Sequence, residues 1–248
     1  MKIFSVYGYT DSGKTTTIEN IIKELRKRRF TVGSVKEIHY EEFEIDKEGT
    51  NTSRHKEAGS QLVTARGYHE TDILYQKKLS VEEILSFYNH DYVILEGVTD
   101  YNMPKILTAK SIAEIRERID DSVFVISGRV AEQISEYEGI PVINCMKNID
   151  ELTNLLINKV YDKLPDFSKN CCSECGYDCR TLGNKILRGE AKREDCSIKN
   201  TYTKLYIDDR EIDMVPFVSK ILNNAVLGVI KELDGYKKGS TIRIETKS

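Results

Sequence analysis

The segment Gly8–Thr15 has the residue types and the spacing of a phosphate-binding loop. Its sequence, Gly-Tyr-Thr-Asp-Ser-Gly-Lys-Thr, fits the Walker A pattern Gly-x4-Gly-Lys-Thr. Glycines in this pattern let backbone amides curl around phosphate oxygens, and the helix that follows adds partial positive charge. Lys14 is expected to bridge the β- and γ-phosphates, and the Thr15 hydroxyl to ligate Mg²⁺. The pattern predicts a nucleoside triphosphate site made of Gly8, Tyr9, Thr10, Asp11, Ser12, Gly13, Lys14, Thr15 and Thr16.

Two acidic residues are candidates for the magnesium side of this site. In P-loop proteins a second acidic residue usually follows a buried strand and holds Mg²⁺ or its water. The apolar run 92–95 ends in Glu96, which makes Glu96 the first candidate. Asp46 and Gly49 form an Asp-x2-Gly in the loop after the second predicted strand, where a segment can sense the γ-phosphate. Lys14, Asp46 and Glu96 are therefore the predicted catalytic residues.

A cysteine cluster marks a second candidate site, this one for a metal. Five of the six cysteines fall within one short segment, namely Cys171, Cys172, Cys175, Cys179 and Cys196. Four thiolates match the ligand count of a 4Fe-4S cluster or of a tetrahedral Zn²⁺ site. Three cysteines on a tight loop and a fourth after a predicted helix favour 4Fe-4S over zinc. The predicted ligands are Cys172, Cys175, Cys179 and Cys196, with Cys171 as the alternate to Cys172.

Cys145 is interpreted apart from the cluster, and the cluster itself resembles known iron-sulfur segments. Cys145 lies near a predicted strand end and is interpreted as a small buried hydrophobe. The run from Cys175 to Cys196 resembles the iron-sulfur segments of corrinoid iron-sulfur proteins, although the middle spacing is one residue shorter here. The segment has few apolar residues, so metal ligation rather than burial is expected to provide its folding energy.

Composition limits the class of protein and its partners. A chain of 248 residues exceeds the commonest single-domain length, which favours one α/β domain plus a smaller appendage. Acidic residues outnumber basic ones by 40 to 37, so nucleic acid is not an expected partner. No apolar run approaches the ~20 residues that span a bilayer, and the first apolar run is too short for a signal peptide. We therefore predict a cytoplasmic protein without membrane contact, in which thiols stay reduced.

The elements that must position these residues alternate between apolar strands and amphipathic helices. This alternation predicts an α/β domain with a mostly parallel sheet covered on both faces. A helix is predicted after the loop, since Ile18, Ile21, Ile22 and Leu25 repeat at helical spacing. Another is predicted to close the domain, with Asn148 as its cap. Strands are predicted at 3–7, 31–35, 92–95, 106–108, 123–127 and 141–144.

The pattern lapses around Pro165, which predicts three parts. Residues 1–164 form the nucleotide-binding domain, residues 165–200 the cysteine-rich metal-binding segment, and residues 201–248 a small α+β unit. The last part is predicted to hold a hairpin across 208–210 and a helix after Pro216 that ends at Gly235. A returning strand is predicted at 241–244.

Further residues add a family resemblance. They are Lys36, His39, Asp46, Gly49, Thr52, Arg54, Ala58, Gly59, Glu96, Gly97, Lys105 and Ile106. With the phosphate loop, they resemble the molybdopterin-guanine dinucleotide biosynthesis protein B family over roughly residues 1–160. The resemblance implies a P-loop GTP-binding protein, typically a homodimer with weak hydrolysis. It also implies a partner nucleotidyltransferase, protein A, which attaches a guanine nucleotide to molybdopterin to give molybdopterin guanine dinucleotide.

What the resemblance carries over is residue-specific. It assigns Gly13, Lys14 and Thr15 to phosphate and Mg²⁺, and Asp46 and Glu96 to the metal side. Lys36 and His39 are expected to contact anions.

The chain departs from the family pattern at two points. Asn51 and Thr52 replace the family's usual Asp-Ser pair, which puts in doubt any role that needs a carboxylate at Asn51. The chain also continues beyond about residue 162, where short members of the family end. Guanine recognition rests on the resemblance, since residues 146–150 hold the residues of an Asn-Lys-x-Asp box in the wrong order.

These observations predict a GTP-binding accessory protein of molybdenum or tungsten cofactor maturation, with weak GTPase activity and a metal-binding extension. One alternative is a small-molecule P-loop kinase acting on a hydroxyl group. Another is a metal-insertion GTPase, in which the cysteines are a transient metal relay.

Overall fold

The structure, a computed structural model, describes residues 1–40, 43–166, 172, 175–196, 203, 205–208, 210–212, 214–237 and 242–244. Its strands are β1 (Lys2–Gly8), β2 (Val32–Lys36), β3 (Leu62–Arg66), β4 (Thr71–Tyr75), β5 (Tyr92–Glu96), β6 (Lys105–Thr108), β7 (Val123–Ser127), β8 (Glu136–Tyr137), β9 (Ile140–Pro141), β10 (Leu205–Ile207) and β11 (Arg210–Ile212). Its α-helices are α1 (Lys14–Lys27), α2 (Asn51–Glu57), α3 (Val81–Leu85), α4 (Ile112–Arg118), α5 (Ile149–Lys159), α6 (Cys179–Arg188) and α7 (Pro216–Ile230).

A five-stranded sheet in the order β2-β5-β1-β6-β7 organises the molecule. Each neighbouring pair of its strands is parallel. β1 lies at the centre, and its interior residues are buried, as expected for a parallel sheet covered on both faces. The predicted α/β fold with a mostly parallel sheet is confirmed.

The two faces of the sheet hold different hydrophobic clusters. Because successive side chains of a strand point to opposite faces, Phe4 and Val6 of β1 pack in the largest cluster, with α1 and α5. Ile3 packs on the other face, in the cluster that includes Leu85 of α3. Tyr7 lies in a third cluster, with Ile115 of α4.

The cysteine-bearing helix α6 packs on the largest of these clusters. Leu182 is 1% exposed and Leu187 is 5% exposed, and both lie among the side chains of α1 and α5. Burial therefore contributes to the order of α6, and the contribution of metal ligation stays a prediction. The three-part division at 164/165 and 200/201 stays a prediction.

The chain after β7 differs from its prediction. Instead of a strand over 141–144, the short strand β9 ends at Pro141, and Val142 makes a single parallel bridge to Ile126. The Ile143 amide donates to the Ile126 carbonyl at 2.9 Å, and the chain then turns at Asn144 to enter α5. Asn148 is the N-cap residue of α5, as predicted, but its side chain accepts no hydrogen bond from a backbone amide; its Nδ2 donates instead to Oε2 of Glu151 at 3.3 Å.

The C-terminal predictions are confirmed in part. β10 and β11 form the predicted hairpin, and α7 follows at the predicted position but ends at Ile230, before Gly235. Residues 242–244 lie outside any strand, and the rest of the predicted return strand is outside the described residues. No helix within the described ranges combines the length and apolar character needed to cross a membrane.

Candidate functional site

The predicted phosphate loop joins β1 to α1 at the carboxyl edge of the sheet. Gly8 has a φ of +152°, and a Cβ there would lie 2.0 Å from the Thr108 carbonyl oxygen, so only glycine fits. Gly13 has a φ of +105° and a left-handed backbone conformation, which glycine adopts without steric cost. No side chain of the described residues caps α1, so the first-turn amides are available to an anion.

The interior of the loop is fixed to the neighbouring strand β6. Ser12 is fully buried, and its Oγ lies 2.8 Å from Oγ1 of Thr108. The Thr108 hydroxyl in turn donates to the Tyr7 carbonyl at 3.1 Å. The Ser12 side chain therefore anchors the loop and leaves any ligand contact to its backbone.

Lys14 reaches back across the loop. Its Nζ donates to the carbonyl oxygens of Gly8 at 3.1 Å and Tyr9 at 2.7 Å. Burial lowers the pKa of Lys14 most; the negative charges of Glu96 and Asp11 oppose this shift, and the positive charges of Lys36 and Arg118 add to it. A phosphate beside this ammonium group would favour its charged form.

The parallel register brings Glu96 to the phosphate loop. Glu96 of β5 is paired with Val6 of β1 and with Lys36 of β2. Its Oε1 accepts a hydrogen bond from Oγ1 of Thr15 at 3.3 Å and lies 3.7 Å from Nζ of Lys36. The structure thus brings together three of the predicted residues, in an arrangement that suits a hydrated Mg²⁺ between Thr15 and Glu96.

Asp46 lies apart from this arrangement. It is absent from the lining of the cleft described below, and its Oδ1 accepts hydrogen bonds from Thr50 at 2.7 Å and Thr52 at 2.8 Å. These hydrogen bonds lower the pKa of Asp46, and the bond from Thr50 has the largest effect. Nζ of Lys56 lies 3.3 Å from Oδ2 of the same carboxylate. Asp46 thus organises the loop that leads into α2, and its magnesium role stays a prediction.

The loop opens into a cleft of about 770 Å³. Of the predicted residues, the cleft is lined by Gly8, Tyr9, Thr10, Asp11, Gly13, Lys14, Thr15, Thr16, Lys36, His39 and Glu96. Sequence reasoning missed another group of lining residues, which includes Glu37, Thr99, Arg118, Gly128, Arg129, Glu132, Asn144 and Met146.

Some of the missed residues had a signal in the sequence. Gly128 and Arg129 directly follow the buried run 123–127, and ligands of parallel α/β sheets bind at the carboxyl ends of strands. Arg118 had no such signal, because it lies at the end of a helix.

The cysteines have diverse surroundings. Cys179 is 8% exposed and Cys196 is 4% exposed, while Cys172 and Cys175 are half-buried. Cys196 belongs to the largest hydrophobic cluster, and Cys175 packs against it. Among the residues that the structure describes, no group of three or more His, Cys, Asp or Glu residues is arranged to hold a metal ion. Cys171 lies outside the described residues.

Cys145 is buried as predicted. Its Sγ lies 3.5 Å from Oγ1 of Thr17, and Cys145 also lines the cleft.

Comparisons with known proteins place this geometry in a family. The family model described as "Molybdopterin guanine dinucleotide synthesis protein B" (MobB) matches residues 3–127. A protein of Methanocaldococcus jannaschii named "Putative molybdopterin-guanine dinucleotide biosynthesis adapter protein" is 33% identical over 252 aligned positions, which cover 99% of this chain and 97% of that protein. An adapter protein of the same pathway name from Haemophilus influenzae is 32% identical over 127 residues, which cover 47% of this chain and 71% of that protein.

Solved structures show the same fold. The crystal structure of Bacillus subtilis MobB superposes with a TM-score of 0.56 at 20% identity, covering 66% of this chain and all of that one. A second structure of Bacillus subtilis MobB gives a TM-score of 0.52 at 19% identity. The H. influenzae and B. subtilis matches leave a large part of this chain uncovered, whereas the M. jannaschii relative covers nearly all of it.

Proposed function

Because the chain belongs to the molybdopterin guanine dinucleotide synthesis protein B family, we propose that it is a GTP-binding adapter in the biosynthesis of molybdopterin guanine dinucleotide. The family membership confirms the predicted resemblance. The observation that supports the GTP site most is the placement of Glu96 beside Thr15, with Lys14 in the same cleft.

Each residue has a distinct role in the proposed GTP–Mg²⁺ complex. The amides of Gly13 and Lys14 and the ammonium group of Lys14 hold the phosphates. The Thr15 hydroxyl ligates Mg²⁺, and Glu96 holds the ion or one of its waters. In the structure Lys36 pairs with Glu96. In the proposed complex the metal neutralises that carboxylate, and Lys36 contacts an oxygen of the nucleotide instead. His39 lines the same part of the cleft and adds a donor for an anion.

Competition between GTP and ATP for the proposed site tests which base the protein prefers. GTP and ATP are each used to displace a fluorescent GTP analogue from the full chain at fixed Mg²⁺, with the Lys14→Ala variant as a control for binding at this site. The proposal predicts that GTP binds at least about tenfold more tightly than ATP, or ~1.4 kcal/mol. Equal displacement by ATP would remove the GTP assignment, and phosphate transfer from ATP to a hydroxyl compound would favour the kinase alternative.

The adapter role concerns a partner nucleotidyltransferase and molybdopterin. The proposed chain delivers guanine nucleotide to that enzyme, or handles molybdopterin and its guanine dinucleotide, and it hydrolyses GTP only weakly. In a reaction containing the nucleotidyltransferase, molybdopterin and GTP–Mg²⁺, addition of the chain is expected to increase the yield of dinucleotide. The Lys14→Ala variant is the matched control. The same yield with and without the wild-type chain would overturn the adapter role.

The family resemblance also predicts a homodimer. Sedimentation of the full chain at several concentrations measures its mass directly, and a monomer at all concentrations would contradict this prediction.

We also propose a metal site for Cys172, Cys175, Cys179 and Cys196, with a 4Fe-4S cluster favoured over Zn²⁺. The spacing of the four thiols, the burial of Cys179 and Cys196, and the packing of Cys175 and Cys196 on one hydrophobic cluster support it. An apolar shell around such a site limits the access of solvent to the metal.

Anaerobic purification followed by metal analysis and a visible spectrum tests the metal site. The Cys175→Ser, Cys179→Ser double variant is expected to lose the metal, whereas Cys145→Ser keeps it, and GTP affinity is nearly unchanged in both. Wild-type protein without iron or zinc would overturn the site. Release of bound metal on GTP hydrolysis would favour the metal-insertion alternative over a permanent cluster.

A further inference from the structure

We propose that Arg118 contacts the terminal phosphate of the bound nucleoside triphosphate and assists its hydrolysis from within the same chain. The inference rests on the proposed GTP site and adds to it a residue that no sequence motif marks. Three features of the structure lead to it: how α4 is attached to the phosphate loop, where the guanidinium lies, and whether its charge is available.

The C-terminal end of α4 is attached to the phosphate loop by two tyrosines. The buried Tyr7 hydroxyl donates to the Arg118 carbonyl at 2.6 Å. The Tyr9 hydroxyl donates to Oε2 of Glu117, the residue before Arg118, at 2.7 Å. Tyr7 and Tyr9 flank Gly8, the first glycine of the loop, so the backbone of Arg118 is fixed relative to the phosphate site.

The Arg118 guanidinium lies on the loop itself. Its central carbon is 4.2 Å from the centre of the Tyr9 ring, within the range of a cation–π contact. The carbonyl of the same tyrosine accepts the 2.7 Å hydrogen bond from Nζ of Lys14. Lys14 and Arg118 therefore contact the same residue of the loop, and both line the cleft.

The charge of Arg118 is available to a ligand. Within the part of the chain that the structure describes, the ion pairs include none formed by Arg118. Lys36, the cation on the other side of the cleft, is paired with Glu96. A guanidinium that is oriented but not neutralised is suited to a phosphate, because its donors match two phosphate oxygens at once.

Negative charge on the phosphate oxygens during GTP hydrolysis gives Arg118 its proposed role. In GTP hydrolysis a water oxygen forms a bond to the γ-phosphorus, and the bond from that phosphorus to the β,γ-bridging oxygen breaks. GDP leaves with the bonding electron pair, and the proton of the water goes to the released phosphate. Charge on the γ-phosphoryl oxygens and the leaving oxygen is stabilised by an arginine, which P-loop GTPases supply in the same chain or from a partner.

The test compares Arg118→Ala and Arg118→Lys with Arg116→Ala. Arg116 is exposed on the same helix and is not among the residues that line the cleft. Single-turnover hydrolysis of GTP at saturating Mg²⁺ is measured beside the affinities for GTP and GDP. The Arg118→Ala variant is expected to hydrolyse GTP at least about tenfold more slowly and to lose affinity for GTP but not for GDP. Arg118→Lys restores little, because lysine lacks the planar fork, and Arg116→Ala behaves as wild type.

The outcomes separate this inference from the proposed function. If wild-type protein binds and hydrolyses GTP and Arg118→Ala matches it in both rate and GTP:GDP preference, Arg118 has no phosphate contact and the GTP site stands. A loss of GTP affinity at an unchanged rate, or no measurable hydrolysis by wild-type protein, would overturn the hydrolytic role. If wild-type protein binds no GTP, the proposed function fails first. Unchanged GDP affinity shows that the variant is folded.

Discussion

The parallel sheet and the C-terminal helix α7 are both rich in apolar residues, yet they place them differently. In β5 and β7 the apolar side chains are buried between two layers of helices. In α7, Phe217 is 68% exposed and Val229 is 66% exposed. Apolar periodicity therefore predicts an element, but whether the apolar face is covered depends on a second element that the pattern does not specify. The sheet is therefore stabilised by a buried core, whereas much of the apolar surface of α7 is exposed among the described residues.

The largest expected effect comes from the sheet region, where the buried Lys105 forms an ion pair with Asp120, whose side chain is 33% exposed. Lys105 is 2% exposed, and its Nζ donates to Asp120 at 2.7 Å and to the Thr99 carbonyl at 3.0 Å. Lys105→Ala leaves Asp120 without its partner, so the free energy of unfolding is expected to fall by about 3 kcal/mol in a urea titration. The matched control is Lys185→Ala, which removes the exposed pair of α6 with Glu190 and is expected to cost less than about 1 kcal/mol. Equal losses would show that burial does not set the cost of breaking an ion pair in this protein.

A smaller effect compares apolar truncation in α6 with the same change in α7. Leu182→Ala removes a side chain that is 1% exposed, whereas Ile221→Ala removes one that is 54% exposed. The first is expected to lower the free energy of unfolding by about 2–3 kcal/mol through the cavity it leaves. The second is expected to change it by no more than about 0.5 kcal/mol. A large loss at Ile221 would mean that another surface covers α7 in solution.

The smallest effect compares two helical glycines and predicts opposite signs. A Cβ at Gly183 in α6 would lie 2.3 Å from the Tyr161 hydroxyl, whereas a Cβ at Gly228 in α7 would meet nothing within 4 Å. Gly183→Ala is expected to lower the free energy of unfolding by about 1 kcal/mol, because overpacking against the buried Tyr161 outweighs the gain in helix propensity. Gly228→Ala is expected to raise it by about 0.5–1 kcal/mol. Thermal unfolding measures both changes. Stabilisation of both variants would contradict the described packing of α6 around Gly183.

The sequence predicted the parts of the fold that repeat a regular pattern. The apolar runs predicted the positions of β1, β5 and β7 within one residue, and apolar residues at helical spacing predicted the helix α1. The hairpin of β3 and β4 was not predicted, because most of its side chains are exposed and leave no apolar alternation to detect. Its turn is closed by the Gly67 amide, which donates to the Glu70 carbonyl at 2.9 Å.

The candidate site was predictable where it depends on the order of elements along the chain. Glu96 was found because it ends a buried strand, and parallel pairing then places it beside Thr15. Asp46 was expected in the cleft, but nearby hydroxyls of Thr50 and Thr52 bind its carboxylate within its own loop. Arg118 was missed because its position depends on tyrosines more than 100 residues earlier in the chain.

The central claim is that the loop Gly8–Thr15 binds a nucleoside triphosphate, and calorimetric titration of GTP–Mg²⁺ into the full chain tests it most directly. Lys14→Ala is compared with wild type and with Lys23→Ala, which changes an exposed lysine of α1. Loss of the ammonium contacts to phosphate is expected to weaken binding by about 2–4 kcal/mol without unfolding the domain, while Lys23→Ala binds as wild type. Equal affinity of wild type and Lys14→Ala for GTP would contradict the account.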